Sequence, residues 1–155
     1  MYYITFYRNY LKKTFRINFM SSTLSITATF AALFTIFYLF LSMRIGYLRG
    51  SPVMKLIFKM DKKVTENKLE RNVRAHGNFS EYVPLFLILL FLAEYLKIIQ
   101  FKYLIMLCII FLYGRIAHAV CFAFFDYNPF LRISGMICTY LVLGILSILL
   151  LVTTF

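Results

Sequence analysis

The stretch Tyr82–Ile99, YVPLFLILLFLAEYLKII, decides the fold. Its middle, Phe86-Leu87-Ile88-Leu89-Leu90-Phe91, is apolar without a break. A strand of a membrane barrel would alternate polar and apolar side chains at every second residue, and this run does not. A helix that is hydrophobic all round has to be buried on every side. At about 1.5 Å per residue the stretch reaches about 27 Å, close to the thickness of a bilayer's hydrocarbon core. Three further runs, Ser22–Met43, Tyr103–Phe125 and Ile133–Phe155, meet the same test of roughly 17–25 apolar residues. The sequence therefore predicts an all-α membrane protein, a bundle of four transmembrane helices.

Composition agrees. The 155 residues are 62% hydrophobic and 15% charged, where soluble domains average about 45–50% and about 25%. A chain this short has too much surface per unit volume to hide that apolar excess as a soluble monomer. Disorder needs the opposite composition. Cys108, Cys121 and Cys138 all lie in apolar runs without CxxC spacing, which suits neither a disulfide framework nor a zinc site. They read as small buried hydrophobes.

The connections differ in character. Lys97–Lys102 is a tight turn that makes the second and third spans an antiparallel hairpin. Asp126-Tyr127-Asn128-Pro129 is a short polar turn, because Pro129 cannot continue a helix interior. Arg44–Glu81 carries nine Lys/Arg and four Asp/Glu, with turn residues at Gly46, Gly50, Ser51 and Pro52. From Asp61 onward it reads as a polar helix running into the second span.

The net charge of +11 follows this topology. The long loop and Arg132 put ten basic residues on one membrane face. The other face holds Lys97 and Lys102, joined by Arg8, Lys12, Lys13 and Arg16 when the N-terminal segment is counted. The Lys/Arg bias of loops predicts a cytoplasmic 44–81 loop. It leaves no need for a nucleic-acid partner. Residues 1–20 are set apart as an N-terminal extension from a membrane domain at 21–155. Met20 directly precedes the first span and is one reading of the translation start. The other is an interfacial amphipathic segment. Absent Trp with abundant Ile, Phe, Tyr and Lys suggests an AT-rich bacterial genome, and hence a bacterial inner membrane.

The informative residues are polar ones that membrane helices avoid. Arg115 falls near the centre of the third span, where a charge costs about 2.5–3.5 kcal/mol on insertion scales. His118 shares its helix face at i+3. Residues of this kind face a bundle interior or a polar cavity; an ion pair with Glu81 or Glu94 is the structural alternative. Arg74, Asn78, Glu81 and Tyr82 form one stripe at i, i+4, i+7 and i+8. Their guanidinium, amide, carboxylate and phenol suit a zwitterionic ligand, since arginine grips carboxylates with a planar fork. A solvated helix start is the plainer reading of the stripe, and a topology anchor that of Arg132.

The segment Arg74-Ala75-His76-Gly77-Asn78-Phe79-Ser80-Glu81-Tyr82-Val83-Pro84 resembles the R-A-H-x-N-x-x-E-Y-x-P signature of the MAPEG superfamily, the membrane-associated proteins in eicosanoid and glutathione metabolism. Gly114-Arg115-Ile116-Ala117-His118 is similar to a G-R-x-A-H segment of microsomal prostaglandin E synthase. Arg132-Ile133-Ser134-Gly135 is similar to the R-I-T-G segment of microsomal glutathione transferases. The resemblance covers about Ser22 to Phe155. It implies a homotrimer with glutathione, as co-substrate, bound between subunits near the cytosolic face. It implies contacts from Arg74, Asn78, Glu81 and Tyr82, with Arg115 and His118 from the third helix and Arg44 serving a neighbouring subunit. Arg132 would stabilise the glutathione thiolate. Phe122 departs from the pattern, because several family enzymes carry tyrosine there.

The implied chemistry is transferase or peroxidase chemistry on lipophilic electrophiles or hydroperoxides arriving through the bilayer. A thiol with a pKa near 8.5 is mostly protonated at neutral pH, and the thiolate is the nucleophile. The alternative is a non-enzymatic lipid-binding scaffold of the same superfamily. Haem ligation by His76 and His118 is a weaker reading, and the absence of internal repeats speaks against a transporter.

Overall fold

The computed structural model describes residues 24–53 and 65–154. The expected N-terminal extension and the first residues of the polar helix from Asp61 lie outside these. Among the described residues the chain forms four long helices: α1 Ser25–Leu48, α2 Glu66–Tyr95, α3 Phe101–Phe124 and α4 Pro129–Thr154. Each is long and apolar enough to cross a membrane. Their direction alternates, so one end of the bundle gathers Leu48, Glu66, Phe124 and Pro129, and the other gathers Ser25, Tyr95 and Phe101. We call these the loop end and the hairpin end.

Helix boundaries extend past the apolar runs. The polar segment before Tyr82 is continuous helix with the second span, and α1 runs beyond Met43 and Arg44 to Leu48. Arg44 therefore does not end its helix. Beyond Leu48 the chain turns at Gly50, whose φ of 65° lets the Ser51 amide donate to the Gly46 carbonyl at 3.2 Å. Left-handed backbone of this kind suits glycine. The α2–α3 turn makes the same closure with Lys97 at φ 54°, the Ile98 amide donating to the Ala93 carbonyl at 3.2 Å. At α4, Pro129 occupies the first helical position, where its missing amide is not needed. Asn128 caps that helix, its Oδ1 accepting from the Leu131 amide at 3.1 Å.

Much of the core is aromatic. Phe34 of α1 is 1% exposed and its ring meets Phe79 and Phe86 of α2 and Phe111 of α3 at 6.0, 5.8 and 5.7 Å. Phe86 and Phe111 stack at 3.8 Å. The outside is as apolar as the inside: Ile36, Phe101, Ile148 and Val152 are all more than 60% exposed. Water would penalise such a surface and lipid does not.

α3 and α4 meet through glycine. A Cβ on Gly114 would stand 3.0 Å from the Gly135 carbonyl oxygen, and one on Gly135 2.8 Å from the Gly114 carbonyl oxygen. Small residues let membrane helices approach backbone to backbone.

At the hairpin end Glu94 closes the start of α1. Its carboxylate accepts from the Ile26 amide at 2.8 Å, the Thr27 amide at 2.7 Å and the Thr27 hydroxyl at 2.6 Å. An anion on a helix's first amides satisfies orphan donors and complements the macrodipole. Hydrogen bonds to charged groups contribute about 1.5–3 kcal/mol each. Glu94→Ala is therefore expected to lower the unfolding free energy by about 2–4 kcal/mol, with Glu94→Gln recovering part of it. Thermal unfolding of the two variants in one detergent measures this, and equal melting of Glu94→Ala and the parent would remove the cap from the account.

Candidate functional site

The polar residues of the sequence reading gather along α2, α3 and the first half of α4, from mid-bundle to the loop end. The Gly114–Gly135 contact explains part of this. It brings Thr139 beside α3, so that Arg115 Nη1 donates to Thr139 Oγ1 at 3.1 Å. Thr139 in turn donates to the Gly135 carbonyl at 2.7 Å. Arg115 is 1% exposed. Its guanidinium carbon lies 5.0 Å from the centre of the Tyr82 ring of α2. Tyr82 reaches onward to α4, its hydroxyl 3.1 Å from that of Tyr140.

Arg115 has no carboxylate partner. Among the described residues the one ion pair is Arg74–Glu70, at 2.6 Å on the exposed face of α2. Glu81 is exposed and Glu94 is engaged at the start of α1. The ion pair expected as the structural alternative is not formed. Arg115 Nε and Nη2, and His118 Nδ1, are buried without a hydrogen-bond partner among the described residues. A buried polar atom left unpaired costs about 1–3 kcal/mol, more when charged. The three atoms belong to two residues one helical turn apart on α3.

Of the stripe on α2, Tyr82 meets Arg115. Asn78 donates to the Arg74 carbonyl at 3.1 Å, and Arg74 leans toward Glu70. His118 faces the interior, 3% exposed, its ring 4.9 Å from Phe122. Arg132 is exposed at the start of α4, its guanidinium carbon 5.6 Å from the Phe122 ring centre. A cavity of about 340 Å³ opens here, lined among others by Arg71, Cys121, Phe122, Asn128 and Arg132.

Arg44 stands apart. Its Nε donates to Asn72 Oδ1 at 2.6 Å and its Nη2 to the Ala123 carbonyl at 2.8 Å, while its guanidinium carbon sits 4.0 Å over Phe124. It ties α1 to α2 and to the end of α3 within its own chain. His76, inside the motif, bonds Ser42 of α1 through Nε2 at 2.9 Å.

Sequence reasoning missed three participants. Thr139 and Tyr140 carry no motif and are found only through the glycine contact. Arg71 had a signal: it lies three residues before Arg74, on the same stripe of α2. Its Nη2 donates to the Cys121 carbonyl at 3.2 Å and to the Phe125 carbonyl, and its guanidinium carbon is 5.5 Å from the Phe122 ring centre.

Four membrane-length helices enclosing a buried arginine, with a cavity at the loop end, define a multi-pass membrane protein. The chain belongs to the MAPEG family, which it matches over residues 27–152. It is thus a membrane protein of the glutathione and eicosanoid metabolism superfamily. No curated protein sequence matches it.

Proposed function

We propose that this protein is a glutathione-dependent membrane transferase or peroxidase that works as a homotrimer, with the 44–81 loop in the cytoplasm. The observation that carries the reading is Arg115: a mid-membrane cation, enclosed, with two donor nitrogens unsatisfied. A carboxylate of glutathione supplies the charge and the acceptors that the chain itself withholds. Arg74, Asn78, Glu81, Tyr82 and His118 offer the remaining polar contacts, and Arg44 holds the helices around the site. Arg132 acts on the sulfur. A fixed cation within about 4–6 Å lowers a neighbouring acid's pKa by about 1–3 units, which keeps the thiol as thiolate at neutral pH. The thiolate then adds to the β-carbon of an activated alkene, the C–S bond forming as the C=C π bond breaks and the α-carbon taking up a proton from water. With a hydroperoxide, two glutathiones give the disulfide, an alcohol and water.

The test is conjugation of glutathione to a hydrophobic electrophile by the purified protein. Arg132→Ala is expected to lose at least about tenfold in rate, the thiolate fraction lost for one unit of pKa, while keeping its oligomeric state by light scattering. Equal rates would take Arg132 out of the chemistry.

A second reading, a non-catalytic lipid-binding scaffold, is favoured by one feature. A groove of about 290 Å³ runs between α1 and α2, lined by Phe34, Tyr38, Phe79 and Val83 and by Pro84, which interrupts the helix's hydrogen bonding. Absence of glutathione binding at millimolar concentration would select this reading.

A further inference from the structure

We propose that Arg71, Phe122 and Arg132 form a single anion seat in which Arg71 is the positioning residue, a second fixed cation that holds the ring and tunes the group bound by Arg132; this rests on the glutathione reading above.

The two guanidinium carbons lie 5.5 and 5.6 Å from the centre of one phenyl ring, and both arginines line the same cavity. They reach it from different helices, Arg71 from α2 and Arg132 from α4. Like charges brought to one ring at the edge of a low-dielectric slab repel each other. The ring face offsets that repulsion only in part. Asp126 lines the cavity as well, but it forms no ion pair with either arginine among the described residues. The arrangement has an excess of positive charge until an anion enters.

The two arms differ. Arg71 is anchored, donating to the Cys121 and Phe125 carbonyls at the C-terminal end of α3, where a cation also complements the helix dipole. The Arg132 side chain makes no hydrogen bond within the described residues, and its guanidinium faces the Phe122 ring. A hydrogen-bonded cation and one without side-chain hydrogen bonds, across a flat apolar spacer, make a seat in which Arg71 sets the position of the ring. A hydroxyl on the spacer would offer the arginines an acceptor and draw them from the ligand; Phe122 offers none. The other ionisable groups facing the seat are Asp126 and Tyr127 from the turn, and Cys121 and His118 from α3. Among the described residues Asp126 is the one acidic side chain lining this cavity.

The full-length protein in detergent micelles tests this through the ultraviolet thiolate band of bound glutathione, titrated with pH. Arg71→Gln keeps an amide that can still donate to the α3 carbonyls but removes the charge. It is expected to raise the pKa of the bound thiol by about one unit, the low end of a neighbouring cation's effect. Arg71→Lys is expected to restore at least half of that shift. S-methylglutathione, which has no thiol to ionise, is expected to bind the parent and Arg71→Gln within about threefold, since Arg71 acts on the charged sulfur. An unchanged thiol pKa in Arg71→Gln overturns the role of Arg71. So does an equal loss of S-methylglutathione binding, which would make Arg71 a structural strut. A parent protein that binds glutathione with no thiolate band removes the seat and leaves Arg115 as ligand holder. A parent that binds no glutathione removes both the seat and the proposed function.

Discussion

Arg115→Met is expected to bind no glutathione and yet to melt at a higher temperature than the parent when no ligand is present. The two halves have one cause. Arg115 is 1% exposed, has one hydrogen bond to Thr139 and one ring contact with Tyr82, and leaves two nitrogens unpaired among the described residues. A charge at mid-membrane costs about 2.5–3.5 kcal/mol, and replacing buried ionic groups by apolar side chains of similar volume is often neutral or stabilising by 1–4 kcal/mol. Methionine fills most of the volume, and its flexible thioether adapts to the gap. Removing the guanidinium strands little, because Thr139 still donates to the Gly135 carbonyl. A gain of about 1–3 kcal/mol in the empty state follows. Glutathione reverses the order: at a hundred times its dissociation constant a ligand adds about 2.7 kcal/mol to the parent and nothing to the variant. Melting curves with and without glutathione should cross in rank. If Arg115→Met melts lower than the empty parent, Arg115 serves the fold and the site argument fails.

Hydropathy finds the oil but not the helix ends. The four spans were readable because lipid asks only for length and apolarity, and both are local. The polar first half of α2 was readable as helix but not as the side of a cavity, since that depends on where α3 and α4 lie. Arg44 illustrates the gap. The first apolar run stops just before it, and the family resemblance assigns it to a neighbouring subunit's site, yet α1 continues to Leu48, and its partners Asn72 and Ala123 come from two other helices of the same chain. Glu94 is similar: an acid late in a membrane helix has no explanation in its own segment, and finds it 67 and 68 residues away at the start of α1. The Lys97–Lys102 turn was readable from the break in the apolar run, but its left-handed closure was not, since Lys97 sits where backbone sterics favour glycine. Asn128-Pro129 reads in sequence as the end of a turn, whereas in the structure the pair starts α4, a cap followed by proline at the first helical position. Phe122 reads in sequence as a tyrosine without its hydroxyl. In the structure its ring is what the two arginines share. The motif residues were thus legible as types, while their pairings depended on helix contacts that no short-range pattern records.

The contact on which those pairings turn is Gly114 against Gly135, and Gly135→Val is expected to break it. A Cβ at position 135 would lie 2.8 Å from the Gly114 carbonyl oxygen, 2.9 Å from the His118 amide nitrogen and 3.0 Å from the His118 Cβ. The first two are backbone atoms of α3, so no rotamer change relieves them. The helices have to move apart, and overpacking of this kind costs about 1–3 kcal/mol, occasionally more. Valine brings a branched side chain, where alanine would bring only the Cβ, so the upper end applies to it. Separation also lengthens the 3.1 Å bond from Arg115 to Thr139 and moves Tyr140 away from Tyr82. The site therefore loosens before the bundle unfolds. Gly135→Ala is expected to lose glutathione affinity by about tenfold or more, the equivalent of about 1.4 kcal/mol, while remaining folded by circular dichroism. Gly135→Val is expected to lower the melting temperature sharply as well. Gly144 on the same helix is the control: a Cβ there meets nothing within 4 Å, and replacing a mid-helix glycine by alanine favours the helix by up to about 1 kcal/mol. Gly144→Ala should thus keep both melting temperature and binding. A Gly135→Ala protein that binds glutathione as tightly as the parent would show that the close approach of α3 and α4 is incidental to the site, and that Arg115 finds its ligand without being set by Thr139.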